Sequence, residues 1–349
     1  MNKGLPIVVL LFVSAFLSSP LLVSSVYATE DSWTTLEPMS TAKGYVGVAV
    51  VNGKIYAMGG SYDSCGVEEY DPATDTWTTK TPMSTPRIWF GLAVVDNKIY
   101  IIGGDSGNWT TGETLTKINE VYDPATDRWE TKASMNVKRE AISASVVDGK
   151  IYVIGGGTPA TEVYDPETDT WTTAERIPTA VGYHASAVVD NKIYIIGGAV
   201  EVTLNQIYDT ETDTWSNGTS LPTGVDSAAA AVVEVEGTPR IYVIGGKQNL
   251  DAVNLNQIYD PTIDTWTTGE SMPTARYGLG VAVINNTIYA IGGREGWIGS
   301  PTSAANEQYT PASYIPEFSS WAVFALTIGV PLVVICYKKK LSNVVKTGV

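Results

Sequence analysis

The chain has 349 residues, 44% of them apolar and 17% charged, with a net charge of −15 at neutral pH. A single histidine and two cysteines exclude a His-rich metal centre, a zinc finger and a disulfide scaffold, and the acidic balance excludes general nucleic-acid binding, which needs a basic surface against phosphate. The 33 glycines and 18 prolines point away from a helical protein.

Residues 1–28 read as a secretory signal. Lys3 supplies the positive start, an apolar stretch runs from Ile7 to Val23, and Val26-Tyr27-Ala28 forms a small-residue cleavage site. The mature chain is then expected to begin near Thr29, outside the cytoplasm.

The middle of the chain repeats itself. An apolar-Tyr-x-x-Gly-Gly motif starts at Ile55, Ile99, Ile151, Ile193, Ile241 and Ile288. A tyrosine followed by a turn recurs at Tyr70, Tyr122, Tyr164, Tyr208, Tyr259 and Tyr309, and a tryptophan at Trp33, Trp77, Trp129, Trp171, Trp215 and Trp266. Each unit predicts four short strands. Strand a is an alternating apolar run such as Gly91–Val95, and a two-residue turn such as Asn52-Gly53 or Asp96-Asn97 follows it. Strand b is the Ile-Tyr-x-x-Gly-Gly segment, strand c ends in the tyrosine, and strand d carries the tryptophan.

The double glycine, the tyrosine and the tryptophan at set offsets resemble the kelch repeat across nearly all of 32–310. The resemblance implies an all-β fold, a β-propeller with one blade per unit. The first tryptophan precedes the first Gly-Gly pair, and none follows Tyr309 before the linker. Six blades are therefore expected over 29–312, the last completed by the N-terminal strand. The Gly-Gly pairs lack the Lys-Ser/Thr of a phosphate loop and read as close backbone approach. Asp71 with Asp75, and Asp165 with Asp169, read as turn-forming carboxylates rather than a calcium site.

Function on a repeat scaffold is expected where the units diverge. The spacing from the second glycine to the tyrosine runs 10, 18, 8, 10, 13 and 16, whereas tyrosine to tryptophan is always 7. The b–c loops therefore vary, and antiparallel pairing places them on the same rim as the d–a segments. Aromatic residues surplus to the repeat gather there: Tyr45, Tyr62, Trp89, Trp109, Tyr183, Tyr277 and Trp297. Lys43, Arg87, Arg139 and Arg276 occupy equivalent d–a positions, with Val181 and Val225 in the other two units, and Lys247 and Arg294 follow Gly-Gly pairs. These residues are expected to line a ligand-binding rim, or the d–a cations to pair with loop carboxylates such as Glu140, Asp226 and Glu295. Aromatic faces and guanidinium groups suit a sugar, with an acidic glycan as the sharper expectation, or a peptide carboxylate.

Residues 318–337 carry no charge over a length that spans a bilayer as a helix. The linker 313–317 precedes them. Lys338, Lys339 and Lys340 follow, so the tail 338–349 is expected to be cytoplasmic. Pro316-Glu317-Phe318 followed by an apolar helix and lysines resembles archaeal PEF-type sorting signals, which implies a sorting transpeptidase as a partner. The ectodomain 29–316 has 17 basic and 36 acidic side chains, a charge of −19. Asn108, Asn217 and Asn285 open glycosylation patterns. Cys65 has no extracellular cysteine partner, since Cys336 lies in the anchor.

The expected protein is a membrane-anchored cell-surface propeller that binds a glycan or protein, with no cofactor and no metal. A copper oxidase of the galactose-oxidase type is excluded by the lone His184. One alternative is a propeller enzyme on sugars, resembling sialic acid mutarotases or a glycosidase, with Glu140, Asp226, Glu201, Glu295 and His184 as possible proton donors. Another is a structural surface-layer component.

Overall fold

The structure, a computed structural model, describes residues 31–60, 65–107, 114–199, 202–297 and 299–311. The signal 1–28, linker 313–317, anchor 318–337 and tail 338–349 lie outside the described residues. Among the described residues no helix is long and apolar enough to cross a membrane.

Six four-stranded antiparallel sheets form six blades. The first runs outward through Gly47–Val51, Lys54–Met58, Val67–Asp71 and Thr76–Lys80. The fourth, typical of the others, runs through Ala185–Val189, Lys192–Ile196, Asn205–Asp209 and Thr214–Asn217. The sixth consists of Gly280–Ile284, Thr287–Ile291, Asn306–Thr310 and, as its outer strand, Ser32–Thr35 from the other end of the chain. Trp33 pairs with Tyr309 in the same register as Trp77 with Tyr70, so the N-terminal strand closes the ring as expected. The a strands neighbour one another in a closed circle around the axis.

Alternation within each blade sends apolar side chains to both sheet faces, and these fill the seams between blades. The seam between the first two blades, for example, holds Met58, Met83, Phe90, Ile99 and Tyr122, with Cys65 packed at its edge. Gly-Gly pairs end the b strands because no side chain fits there. Gly103 and Gly104 have φ of 62° and 99°, and a Cβ on Gly104 would lie 2.7 Å from the Ile88 carbonyl.

The repeat aromatics and turn aspartates lock each blade to the one before it. Within a blade, the tyrosine hydroxyl donates to the turn aspartate, as in Tyr70 to Asp75 at 2.6 Å and Tyr164 to Asp169 at 2.7 Å. The same carboxylate accepts a backbone N–H from the end of the preceding blade's outer strand: Glu37 to Asp75, Thr81 to Asp127 and Ala133 to Asp169, at 2.8–2.9 Å. The carbonyl of that preceding residue accepts from the next blade's tryptophan, as in Trp77 to Glu37 and Trp129 to Thr81. Asp31 does this for the closing blade, holding Tyr309 and the Glu270 N–H while Trp33 donates to the Glu270 carbonyl. The tyrosine bond holds Asp127, Asp169 and Asp264 below the usual carboxylate range.

The four d–a cations are core residues, which corrects their assignment to the rim. Lys43, Arg87, Arg139 and Arg276 are at most 1% exposed. Each pairs with the glutamate at the second position of strand c: Lys43 with Glu68 at 3.2 Å, Arg87 with Glu120, Arg139 with Glu162 at 2.7 Å and Arg276 with Glu307 at 2.6 Å. The expected loop partners Glu140, Asp226 and Glu295 are not the ones used. The guanidinium groups also cap strand-b carbonyls, Arg139 reaching Gly155 at 3.1 Å and Arg276 reaching Gly292. The glutamate's other oxygen, in turn, accepts from the d–a segment, as Glu162 does from the Asn136 N–H at 2.8 Å. In the fourth and fifth blades, where valine replaces the cation, Gln206 and Gln257 replace the glutamate. Each glutamine bonds both the N–H and the carbonyl of Thr179 or Thr223 at 2.9–3.0 Å. A neutral partner is required there because an unpaired buried carboxylate is costly.

Two predictions follow from these locks. Deleting 29–36 removes the closing strand and Asp31, and calorimetry should then show loss of the single sharp melting transition; a truncated chain that melts as sharply, near the full-length temperature, contradicts six-bladed closure. Arg87→Val should cost about 3–5 kcal/mol by stranding Glu120, and adding Glu120→Gln should restore most of it by copying the fourth blade. Denaturant melts of both variants measure the difference.

Candidate functional site: the mouth of the channel on the variable rim

The axis is ringed on the variable rim by one residue per blade, two positions after the buried cation or valine. These are Tyr45, Trp89, Ala141, Tyr183, Ser227 and Gly278, and all six have φ between 52° and 60°. Their backbones form a hoop of hydrogen bonds. Tyr45 N–H donates to Gly278 O, Gly278 to Ser227, Ser227 to Tyr183, Tyr183 to Ala141, and Ala141 to Trp89, over 2.6–3.2 Å. Left-handed backbone is what lets successive blades bond in this direction, and it strains the five residues that are not glycine. Gly278 has a second reason to be glycine, since a Cβ would lie 2.5 Å from the Tyr45 ring.

Four of the seven aromatic residues expected on this rim converge on the mouth. Tyr45 meets Trp89 edge-on at 5.0 Å, Trp89 meets Tyr183 at 5.5 Å, and Tyr277 meets Tyr45 at 5.9 Å. Tyr45, Trp89 and Tyr183 are half-buried and present surface to solvent, whereas Tyr277 is buried beneath them. Tyr62, Trp109 and Glu201 lie outside the described residues.

Backbone bridges then set the residue after three of the Gly-Gly pairs beside the hoop. Ile88 exchanges two bonds with Asp105, Asp226 with Lys247, and Tyr277 with Arg294. Lys247 pairs with Asp226 at 3.3 Å and lies 5.8 Å from the Tyr277 ring. Arg294 donates to the Ser300 carbonyl at 2.8 Å and lies 5.7 Å from the Tyr45 ring. Of the cations expected on the rim, these two stand beside the hoop. The b–c loops of the fifth and sixth blades are knitted together, the hairpin Lys247–Gln248 with Asp251–Ala252 joining Gly296 through the Ala252 N–H. This arrangement leaves Leu250 60% and Trp297 67% exposed.

Asp105 is a site residue that sequence reasoning missed. It is buried beside Glu140 of the next blade. Burial, then the charge of Asp105 and a hydrogen bond with it, push the Glu140 carboxyl up to about 6. Burial, together with the charges of Glu140, Asp226 and Asp105, pushes the Tyr183 hydroxyl up to about 12. The carboxylates therefore surround Tyr183 on one side of the mouth, and Arg294 faces Tyr45 on the other. Glu295 accepts from Ser303 at 2.7 Å. His184 is not at the mouth surface. It is buried, bonds Ser143 at 2.9 Å, and burial lowers it to about 4, so it is neutral near pH 7.

Of the glycosylation candidates, Asn217 is exposed at the end of an outer strand and Asn285 is exposed at an a–b turn, while Asn108 lies outside the described residues. Asp71 and Asp75 are used in the turn, Asp71 accepting from the Ala73 N–H and Asp75 from Tyr70. Among the described residues no group of three or more His, Cys, Asp or Glu side chains is placed to hold a metal ion.

Comparison with known proteins agrees with this architecture. The chain matches the KLHDC2/KLHL20/DRC7 Kelch-repeats domain over residues 45–225 and 93–293, and the Kelch motif over 275–321. It is similar to a solved structure titled "Structure of YjhT", with a TM-score of 0.67 and 16% identity, over 78% of this chain and 95% of that one. That likeness is one of fold. With its repeats matched from the first blade to the last, the chain belongs to the kelch-repeat family.

Proposed function

We propose that the protein is an exported kelch propeller, tethered to the membrane through 318–337, that binds a glycan or protein ligand at the mouth of its variable rim. The observation that carries this reading is the arc of Tyr45, Trp89 and Tyr183, held in strained backbone and still open to solvent. Such faces stack on sugar rings or clasp peptide side chains. Burial of the four d–a cations leaves Arg294 and Lys247 to meet any acidic group on the ligand, and Asp226 already neutralises Lys247. Arg294, beside Tyr45, donates instead to the Ser300 carbonyl. A glycan array and a peptide library, probed with the purified full chain in detergent, test the proposal. Trp89→Ala and Arg294→Ala should each weaken binding about tenfold, roughly 1.4 kcal/mol, with the melting transition kept. No signal from the wild type, or signal indifferent to both changes, defeats it.

A second reading, a sugar-converting enzyme resembling sialic acid mutarotases, is favoured by one observation. Glu140, pushed up to about 6 beside Asp105, is partly protonated near neutral pH and next to Tyr183. That is the state a general acid–base group needs. Interconversion of sialic acid anomers, followed by NMR with the wild type and Glu140→Gln, separates this reading from binding alone. Stability supplies a check on the carboxyl itself. Its folded value lies above the unfolded one of about 4.3, so the folded state holds the proton more tightly. The contribution of Glu140 is favourable at low pH and is lost as pH rises through about 6. Glu140→Gln should therefore stabilise the protein by about 1 kcal/mol at pH 8, after allowance for solvent screening, and by nearly nothing at pH 4. Denaturant melts at the two pH values measure it.

A further inference from the structure

Both ends of the described chain leave the propeller on the same face. Asn306–Thr310 is a c strand, so it runs from the variable rim to the opposite rim and ends among the a–b and c–d turns. Asp31 enters there too, its carboxylate bonded to the Tyr309 hydroxyl. Only residues 311–317 separate Thr310 from Phe318, where the apolar stretch begins. Fully extended, seven residues reach about 25 Å. A five-residue blade strand alone rises about 17 Å, and the b–c loops stand beyond its far end. For the variable rim to lie on the bilayer, the linker would have to run back along the whole blade with no slack.

We infer that the propeller stands on its turn rim and holds the channel mouth away from the membrane that anchors it. This inference rests on the reading of 318–337 as a membrane anchor. The ligand then arrives from the medium or on a facing surface, and lipid headgroups of the protein's own membrane are not what the mouth recognises. The charge of the turn rim does not forbid this. Every c–d turn carries at least one aspartate, Asp31 serving the closing blade, and four of the six a–b turns add a further acid: Asp96, Asp148, Asp190 and Glu236. An acidic rim is repelled from an anionic headgroup layer at short range, within a screening length of about 8 Å, and the linker allows more separation than that. The exposed apolar residues Leu250 and Trp297 would then face outward, where a protein or glycan in solution can reach them.

The fifth blade offers a matched pair of reporters. Leu250 lies in a b–c loop of the variable rim and Ile263 in a c–d turn of the opposite rim, 60% and 65% exposed. In the full chain, with Cys65→Ser and Cys336→Ser, Leu250→Cys and Ile263→Cys are each labelled with a donor dye. The chains are reconstituted into phosphatidylcholine vesicles carrying a headgroup-linked acceptor. Flotation of the vesicles comes first. A chain that fails to float overturns the anchor reading, and this inference with it. For a chain that floats, donor quenching should be several-fold stronger from position 263 than from 250, with Trp297→Cys behaving like Leu250→Cys. Equal or reversed quenching overturns the orientation and leaves the anchor standing.

Discussion

The whole ring depends on one carboxylate per blade that serves two blades at once. Each c–d turn aspartate sits in left-handed backbone, with φ from 52° to 55°, a conformation that a short polar side chain tolerates better than most. From there one oxygen takes the tyrosine hydroxyl of its own blade and the end of the preceding blade's outer strand. The tryptophan beside that tyrosine, ring centroids about 5.0 Å apart, takes the carbonyl of the same preceding residue. Neither blade satisfies these groups alone. In an open array the terminal units would leave such groups unpaired and need caps, whereas a closed ring has no terminal unit. Asp31 completes the ring across a separation of 278 residues. The closing lock is therefore the longest in sequence, a contact order that slows folding relative to local pairing.

This lock sits at the periphery of the ring, between the c–d turn of one blade and the end of the preceding blade's outer strand, and leaves the mouth side free. On that side each blade needs only a Gly-Gly exit, a d–a segment held to strand c, and a place in the hoop. The segment is held by a buried ion pair in four blades and by a glutamine in two, and both solutions grip the same stretch of backbone. The equivalence shows what the ion pairs are for. They fix the loop, and they remove four positive charges from the surface. A rim that looks cationic in the sequence carries in the folded protein an arc of aromatic side chains with carboxylates on one side and Arg294 on the other.

The fold was legible because the repeat residues carry geometry directly. Tyrosine and tryptophan seven apart become cross-strand partners, and one tryptophan ahead of the first Gly-Gly pair locates the closing strand. The aromatic part of the mouth was legible for a related reason: subtracting the repeat leaves Tyr45, Trp89 and Tyr183, which have no place in the blade lock. The four cations were misplaced because position along a loop does not say whether a side chain points in or out. A signal was present in the sequence all the same. The second residue of strand c is glutamate in the four units with a cation and glutamine in the two with valine, which is the pattern of a buried pair. Asp105 had no comparable signal. Its partner Glu140 belongs to the next blade, and proximity across a seam leaves no fixed spacing in the chain.

The hoop gives the physical ground for placing a ligand at the mouth. A residue other than glycine in left-handed backbone costs about 1–2 kcal/mol, and Gly278 shows that the hoop accepts glycine. Ala141 and Ser227 show that it accepts small side chains, with the same backbone bonds made. Closure of the ring therefore explains none of the ring systems of Tyr45, Trp89 and Tyr183. Nor does burial, since all three remain part-exposed while the repeat tyrosines are buried to 1% or less. Trp89 meets Tyr45 and Tyr183 edge-on, all three stay part-exposed, and nearby two carboxyl groups of adjacent blades, Asp105 and Glu140, share a hydrogen bond. Aromatic surface that the fold does not require, kept in strained backbone beside a carboxyl poised near neutrality, is what a recognition site needs and what a purely structural ring would lack.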